Sequence, residues 1–587
     1  MSKFEVREEF FINNEKIKII SGACHYFRIV PEYWTDRLEK LKLLGCNCVE
    51  TYIPWNIHEP QKGKFDFEGR NDINKFISIA NDLGLYVILR PSPFICAEWE
   101  FGGLPYWLLQ DDSMVVRSTY KGFIEYVDKY FKELFKIIAP LQITNGGPVI
   151  MMQIENEYGS FGNDKKYLSI IKSLMTKYGC NVPLFTSDGV LDEMLESGTL
   201  CSEGVIPTGN FGSDSKLQMK NLGEFICKSN IEAPLMCMEF WIGWFNSWGK
   251  EITKRSPKEI ADELKDILDV GSVNIYMYHG GTNFGFYNGA NYFEQFEPQT
   301  TSYDYDALLT EWGEPTEKYY EVKKVISKYR EIKEFKPSTK IKFKKYGEIN
   351  LSNKVSLFNT VDKICKPIYS DITQSMEKLN QGYGYILYSS NIGKKEPKTI
   401  SCSVLEANDR ISVYNNESHV ITQEREGIGE KFNINLDKNN KLDILVENEG
   451  RVNYGPKIRS SIQKKGINAG VLIEHHFHHG WNQYTLEFND ISKVDFSCGY
   501  KDNTPAFYEF TFNVEEKGDT FLHVDKFGKG CAFINGFNLG RFYDIGPTLY
   551  LYIPAPLLKL GENKIVIFET EGRYSDKITL SNVPLFK

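Results

Sequence analysis

Through the first 330 residues, short apolar runs alternate with stretches whose apolar positions recur every three or four residues. The runs at 16–20, 48–53, 85–89, 149–154, 184–187, 200–205, 234–239 and 273–278 read as strands. Between the first two, 31–44 sets Trp34, Leu38, Leu41 and Leu44 on one helical face. The next helix, 72–83, carries Ile73, Phe76, Ile77 and Ala80 at the same spacing, with Gly84 where a helix stops. Further helices are predicted at 123–138 and along Tyr167, Ile171, Leu174 and Tyr178. Ser256-Pro257-Lys258-Glu259 has the form of a capping box with proline at the first helical position. Eight strand–helix units in this span predict a (β/α)8 TIM barrel. A doubly wound open sheet would carry a glycine-rich phosphate turn after an early strand, and Ser21-Gly22-Ala23-Cys24 is not one.

Beyond Pro337 the period changes. Short strand-like runs at 384–388, 410–414, 441–447, 506–512, 549–553 and 564–568 are separated by turn residues, the spacing of all-β sandwiches. NKLDILVENEGR at 440–451 and NKIVIFETEGR at 563–573 align with a one-residue gap, as the same strand and corner of two related sandwiches would. The expected division is a barrel at 1–330, a connector at 331–379 with room for the first strands of the C-terminal sandwich, one β-sandwich at 380–478 and a second at 479–587.

The chain has 587 residues, 42% hydrophobic and 25% charged, the composition of a folded multidomain protein. Its 69 basic against 78 acidic side chains give a net charge of −9, which argues against a nucleic-acid partner. No run approaches the roughly 18 apolar residues of a membrane span. The first twenty residues mix acids and bases with no apolar core of a signal peptide, so a cytoplasmic location is expected. Cys24, Cys46, Cys48, Cys96, Cys180 and Cys237 sit in apolar runs and read as reduced, buried thiols. Eight of the nine tryptophans lie at or before Trp312, so ligand-stacking aromatics belong mostly to the barrel half.

A barrel of this kind carries its site at the C-terminal ends of its strands. There the sequence reads TYIPWNIHEP (51–60), RPSPFICAEWE (90–100), QIENEYG (153–159), MEFWIGW (238–244), HGGTNFG (279–285) and TSYDYD (301–306). Carboxylates and amides interleaved with aromatics suit a sugar, whose C–H face packs on a ring while its hydroxyls take hydrogen bonds. Glycoside hydrolysis needs a protonated acid at the leaving oxygen and a second carboxylate behind the anomeric carbon. Strands four and seven lie across the barrel from each other, which would set Glu157 and Glu239 on opposite sides of a bound sugar. A single glutamate at a strand end is more often a rim residue or half of an ion pair; the coincidence at opposing mouths is what singles these two out. Spacing alone leaves Glu155 and Glu157 equivalent, since alternate residues of a strand share a face. In Glu474–His479, adjacent histidines on a strand would point to opposite faces, so no metal site is expected, and no cofactor motif is present.

TYIPWNIHEP, ICAEWEFGGLPYWL, GGPVIMMQIENEYG, MEFWIGWFNSWG, GGTNFG and TSYDYDA, in that order from Thr51 to Asp306, resemble glycoside hydrolase family 35, the β-galactosidases. INGFNLGRFYDIGP and RVNYG are similar to signatures of the jelly-roll, galactose-binding-like sandwiches which that family appends to its barrel. The resemblance implies a cofactor-free, exo-acting, retaining enzyme that removes terminal β-D-galactose from an oligosaccharide or glycoconjugate. It makes Glu157 the proton donor, Glu239 the nucleophile, and Tyr52, Ala97, Glu98, Asn156 and Tyr305 the galactose contacts, with the two carboxylates ~5–5.5 Å apart. Many members have Tyr where this chain has Trp241, with Trp244 three residues on. Bacterial members with Trp at these places favour galactose β-1,3-linked to N-acetylhexosamines, and Tyr454 would complete an aromatic box around the leaving sugar. The plainer reading packs both tryptophans into the barrel rim. An exo-glycosidase of the same family for a β-glucosaminide or a pentapyranoside, or a non-catalytic sugar-binding protein, stays open at this point. A homo-oligomer is compatible with the sequence.

Overall fold

The computed structural model describes residues 2–587 apart from Ser92, Thr339 and 394–397. Eight parallel strands close a barrel: β1 Ile20–Cys24, β2 Cys48–Tyr52, β3 Tyr86–Arg90, β4 Val149–Gln153, β5 Leu184–Gly189, β6 Ile206–Phe211, β7 Met236–Trp241 and β8 Ser272–His279, with β8 pairing back onto β1. The helices lay apolar stripes on its outside. Asp72 caps Ile73–Asp82 by accepting the Lys75 N–H, and that helix buries Ile73, Phe76, Ile77 and Ala80. Gly45, at φ 107°, ends Trp34–Leu44 in the left-handed conformation.

Three local expectations are corrected. The run at 16–20 is split: Glu15–Ile17 pairs with Phe10–Ile12 in a small antiparallel sheet, and β1 begins only at Ile20. A Cβ on Gly22 would meet Leu41 Cδ1 at 2.7 Å and Tyr278 Cβ at 2.8 Å, so close packing rather than strand propensity selects the small residues of ISGAC. β6 lies at Ile206–Phe211 instead of 200–205; its Pro207 and Gly209 imitate a turn, yet all six residues are buried. The capping box at 256–259 does not close. Ser256 makes no side-chain cap bond, and Glu259 pairs with Arg255 instead.

In the C-terminal half, a six-stranded and a four-stranded sheet share a core that includes Ile386, Val404, Ile444, Val471 and Trp481. Trp481–Leu486 pairs with Tyr385–Gly393, which carries this sandwich past the expected 478/479 division. An eight-stranded sheet follows, and Gly347–Ser356 pairs there with Ala506–Val514 and Lys577–Ser581. One joint bears on the barrel mouth. Val452–Tyr454 adds to Ala290–Tyr292, a strand of the loop after β8, so the first sandwich is hydrogen-bonded to the barrel. Beside it the fully buried Arg451 pairs with Glu100, after β3, and with Glu377 at 2.5 Å.

His476–Phe477 is an exposed two-residue strand, and among the described residues no group of His, Cys, Asp and Glu is arranged to hold a metal ion. No helix among them is long and apolar enough to cross a membrane. The six cysteines named above are buried, and all twelve are free thiols.

Candidate active site

The chain leaves β4 at Gln153 and turns sharply, with Glu155 at φ 56° and Glu157 at φ 43°. These two residues are therefore not alternate positions of one strand, which corrects the sequence picture, and their side chains part company. Glu155 Oε1 accepts from Arg117 Nε at 3.0 Å and from the Tyr167 hydroxyl at 2.8 Å. Its Oε2 accepts from Arg117 Nη2 at 2.9 Å and the Asn156 N–H at 2.6 Å. The group is wholly buried and saturated, so it holds the turn. Glu157 faces a cavity and takes one amide, Asn210 Nδ2 from β6, at 2.9 Å.

That cavity, about 130 Å³, is lined by Tyr52, Ala97, Glu98, Asn156, Glu157, Glu239, Trp241, Trp244, Tyr305 and Tyr454. These are the ten positions singled out from the sequence, brought together from five barrel loops or strand ends and the first sandwich. Cys96, Phe245, Tyr276, Asn291 and Phe293 complete the wall.

Three groups converge on Glu239, on β7: the Tyr52 hydroxyl donates to it at 2.7 Å and Trp241 Nε1 at 3.0 Å, while the Arg90 guanidinium is ion-paired with it, Nη1 lying 2.6 Å away. Such charge-assisted bonds bind an anion and fix its direction. Glu157 is treated the opposite way. Burial, and then the charge of Glu239, push its carboxyl up to about 8, against the weaker pull of the Asn210 amide. The Glu98 carboxyl is likewise pushed up to about 7 by burial, opposed by the Tyr303 hydroxyl at 2.5 Å and the Arg28 charge.

The surroundings orient the remaining groups. Asn156 Oδ1 accepts from Arg90 Nη2 at 2.8 Å and Gln153 Nε2 at 3.0 Å, so the amide presents Nδ2 to the cavity. Cys96, Ala97 and Glu98 run consecutively at φ 57°, 52° and 48°. Left-handed non-glycine residues cost of order 1–3 kcal/mol each, strain that concentrates where a site dictates the backbone. The Tyr305 ring meets Tyr276 edge-on at 5.5 Å. Trp241 stands beside Glu239, Trp244 crosses it at 5.8 Å and is 40% exposed at the rim, and Tyr454 packs on Phe293 at 5.7 Å.

Sequence reasoning passed over Arg90, Tyr276 and Asn210. Arg90 was readable as the one charge on an otherwise apolar strand, at its C-terminal end. Tyr276 is hidden inside the apolar run of β8, and Asn210 lies on the strand that was set six residues too early.

A family model described as glycosyl hydrolases family 35 matches residues 9–329. Two further models, a β-galactosidase first all-beta domain and a β-galactosidase galactose-binding domain, match 373–487 and 505–563. Similar proteins include beta-galactosidase-1-like protein 2 of Homo sapiens, 38% identical over 95% of this chain and 88% of that protein. Beta-galactosidase 1 of Dictyostelium discoideum is 36% identical over 96% and 91%. Beta-galactosidase of Bos taurus is 36% identical over 96% and 90%.

Proposed function

The chain belongs to glycosyl hydrolases family 35, and from that premise we propose that it is an exo-acting, retaining β-galactosidase that releases terminal non-reducing β-D-galactose from oligosaccharides or glycoconjugates. The observation that carries this reading is the opposite treatment of two carboxyls in one cavity. Glu239 receives a buried guanidinium and two neutral donors, while Glu157 receives one amide and is pushed up to about 8. A double displacement needs that contrast between an ionised nucleophile and a protonated acid.

In the first step Glu239 attacks the anomeric carbon as Glu157 gives its proton to the departing glycosidic oxygen. The ester formed at Glu239 removes the charge that helped to raise Glu157, whose carboxyl falls and becomes a base. Water then loses a proton to Glu157, its oxygen displaces Glu239, and galactose leaves with its β configuration. Arg90 and Tyr52 receive the returning carboxylate. Asn156 Nδ2 suits the 2-hydroxyl, a bond that tightens at the transition state. Ala97 can contribute only through its backbone, and Glu98 with Tyr52 and Tyr305 would read the hydroxyls that separate galactose from its epimers. Trp241, Trp244 and Tyr454 are assigned to the leaving sugar, with a preference for β-1,3 linkage to N-acetylhexosamine as in the bacterial members that carry both tryptophans. The sandwiches buttress the barrel.

The test is hydrolysis of 4-nitrophenyl β-galactoside beside the matching β-glucoside, β-glucosaminide and a pentapyranoside. Turnover confined to the galactoside is expected; a faster glucosaminide or pentapyranoside would overturn the choice of sugar. Equal rates on β-1,3 and β-1,4 galactosyl disaccharides would remove the linkage preference alone.

A further inference from the structure

A second, larger cavity of about 420 Å³ adjoins the first, and Cys96, Asn156, Glu157, Phe293 and Tyr454 line both. It touches Glu157 but not Glu239. The proton donor stands on the leaving-group side of the scissile bond, so the larger cavity lies where the chain beyond galactose must run. Its walls are aromatic, with Phe94, Phe161, Phe293 and Tyr454, and two guanidiniums reach it.

Those two cations differ. Arg117 is neutralised by its bidentate pairing with Glu155. Arg459 donates from Nε to the Val116 carbonyl at 2.9 Å and from Nη2 to the Arg117 carbonyl at 2.6 Å, and it lies 4.8 Å over the Phe161 ring. Neutral carbonyls fix its direction without cancelling its charge, and neither bond uses Nη1. Among the described residues no carboxylate pairs with it, and Glu157 is the sole carboxyl lining the cavity. An exposed guanidinium whose direction is fixed by two backbone carbonyls, at the mouth of an aromatic cleft, is a receptor for an anion attached to a ring.

We propose that this cavity accepts a sugar bearing an anionic substituent, a carboxylate or a sulfate ester, next after galactose, and that Arg459 pairs with that anion. The inference rests on the galactosidase reading and adds the class of aglycone.

The test compares kcat/KM within matched pairs, so that linkage cancels: β-galactosyl-glucuronate against β-galactosyl-glucose, and β-galactosyl-N-acetylglucosamine with and without a 6-sulfate. Wild type is expected to favour the anionic member of at least one pair by about tenfold, the size of one charged hydrogen bond, and the pair that responds identifies the anion. The preference should shrink in high salt. Arg459→Gln should bring the ratio to about one, and Arg459→Lys should keep part of it. Equal kcat/KM within both pairs for wild type, a reading that needs no variant, overturns the inference and leaves the galactosidase reading standing. A preference that survives in Arg459→Gln also overturns it. No turnover of any of the four substrates overturns both.

Discussion

Glu155 takes four hydrogen bonds and Glu157 one, and that difference divides their work two residues apart in the sequence. Glu157→Gln should cut kcat/KM on a galactosyl disaccharide by about 10²–10⁴ and leave the chain folded. Glu155→Gln should lower the melting temperature. Arg117→Gln goes further, since a buried carboxylate left without its cation costs about 3–5 kcal/mol. Loss of turnover with unchanged melting in Glu155→Gln would reverse the assignment. The pH dependence follows from the same residue. Its carboxyl sits at about 8 in the fold against an ordinary 4.5, so between those values the folded chain keeps a proton that the unfolded chain has released. That contribution to stability is fully present below the unfolded value and is lost as pH rises through about 8. Glu157→Gln should therefore gain melting temperature over wild type at about pH 9 but not at about pH 5, and wild-type kcat/KM should fall above about pH 8 as the acid loses its proton. Motifs made Glu157 and Glu239 legible in the sequence. The convergence of Tyr52, Arg90 and Trp241 on Glu239 was not, because Arg90 and Tyr52 reach it from other strands.

At the scale of elements, periodicity found the barrel because most of its strands are apolar runs bounded by turns. It failed where tertiary packing overrode propensity. β1 is built of small residues under Leu41 and Tyr278, and Gly22→Val should cost about 1–3 kcal/mol by overpacking, read from chemical denaturation. β6 carries Pro207 and Gly209. The internal repeat, by contrast, has a physical basis that the sequence already carried. Asn440 accepts the Asp437 N–H and donates to its carbonyl, and Asn563 does the same with Lys559. The next residues match too: Lys441 donates its N–H to Asn416 and Lys564 its N–H to Asn535. Asn440→Ala and Asn563→Ala should each cost about 1–3 kcal/mol, since both amides are buried and leave turn groups unpaired.

Across the whole molecule, the candidate site is closed by two regions far apart in sequence. Tyr454 reaches the cavity from the first sandwich because Val452–Tyr454 pairs with the loop after β8, and Arg451 fastens that joint to Glu100 and Glu377. The last sandwich adds a second fastening: Thr301 donates to the Arg541 carbonyl at 2.6 Å, and Phe284 packs on Phe537 at 5.2 Å. Nothing in the local pattern of RVNYG says that it lies over the barrel; only the resemblance did. Arg451→Met should strand two buried carboxylates and lower the melting temperature; if Tyr454, which lines both cavities, meets the aglycone as proposed, it should also raise KM for disaccharides more than for 4-nitrophenyl β-galactoside. An equal rise for both substrates would speak against that placement of Tyr454.

Glu239 is the residue proposed to become bonded to sugar, through a carboxylate oxygen, and one measurement reaches it directly. A 2-deoxy-2-fluoro-β-galactosyl fluoride slows both steps but keeps a good leaving group, so the ester should accumulate; the labelled chain is then digested and its peptides are sequenced by mass spectrometry. One fluorogalactosyl group per chain, on Glu239 and absent from Glu239→Gln, is the expected result. A label on Glu157, Glu98 or any other carboxyl, or no label on an enzyme that hydrolyses galactosides, would contradict it.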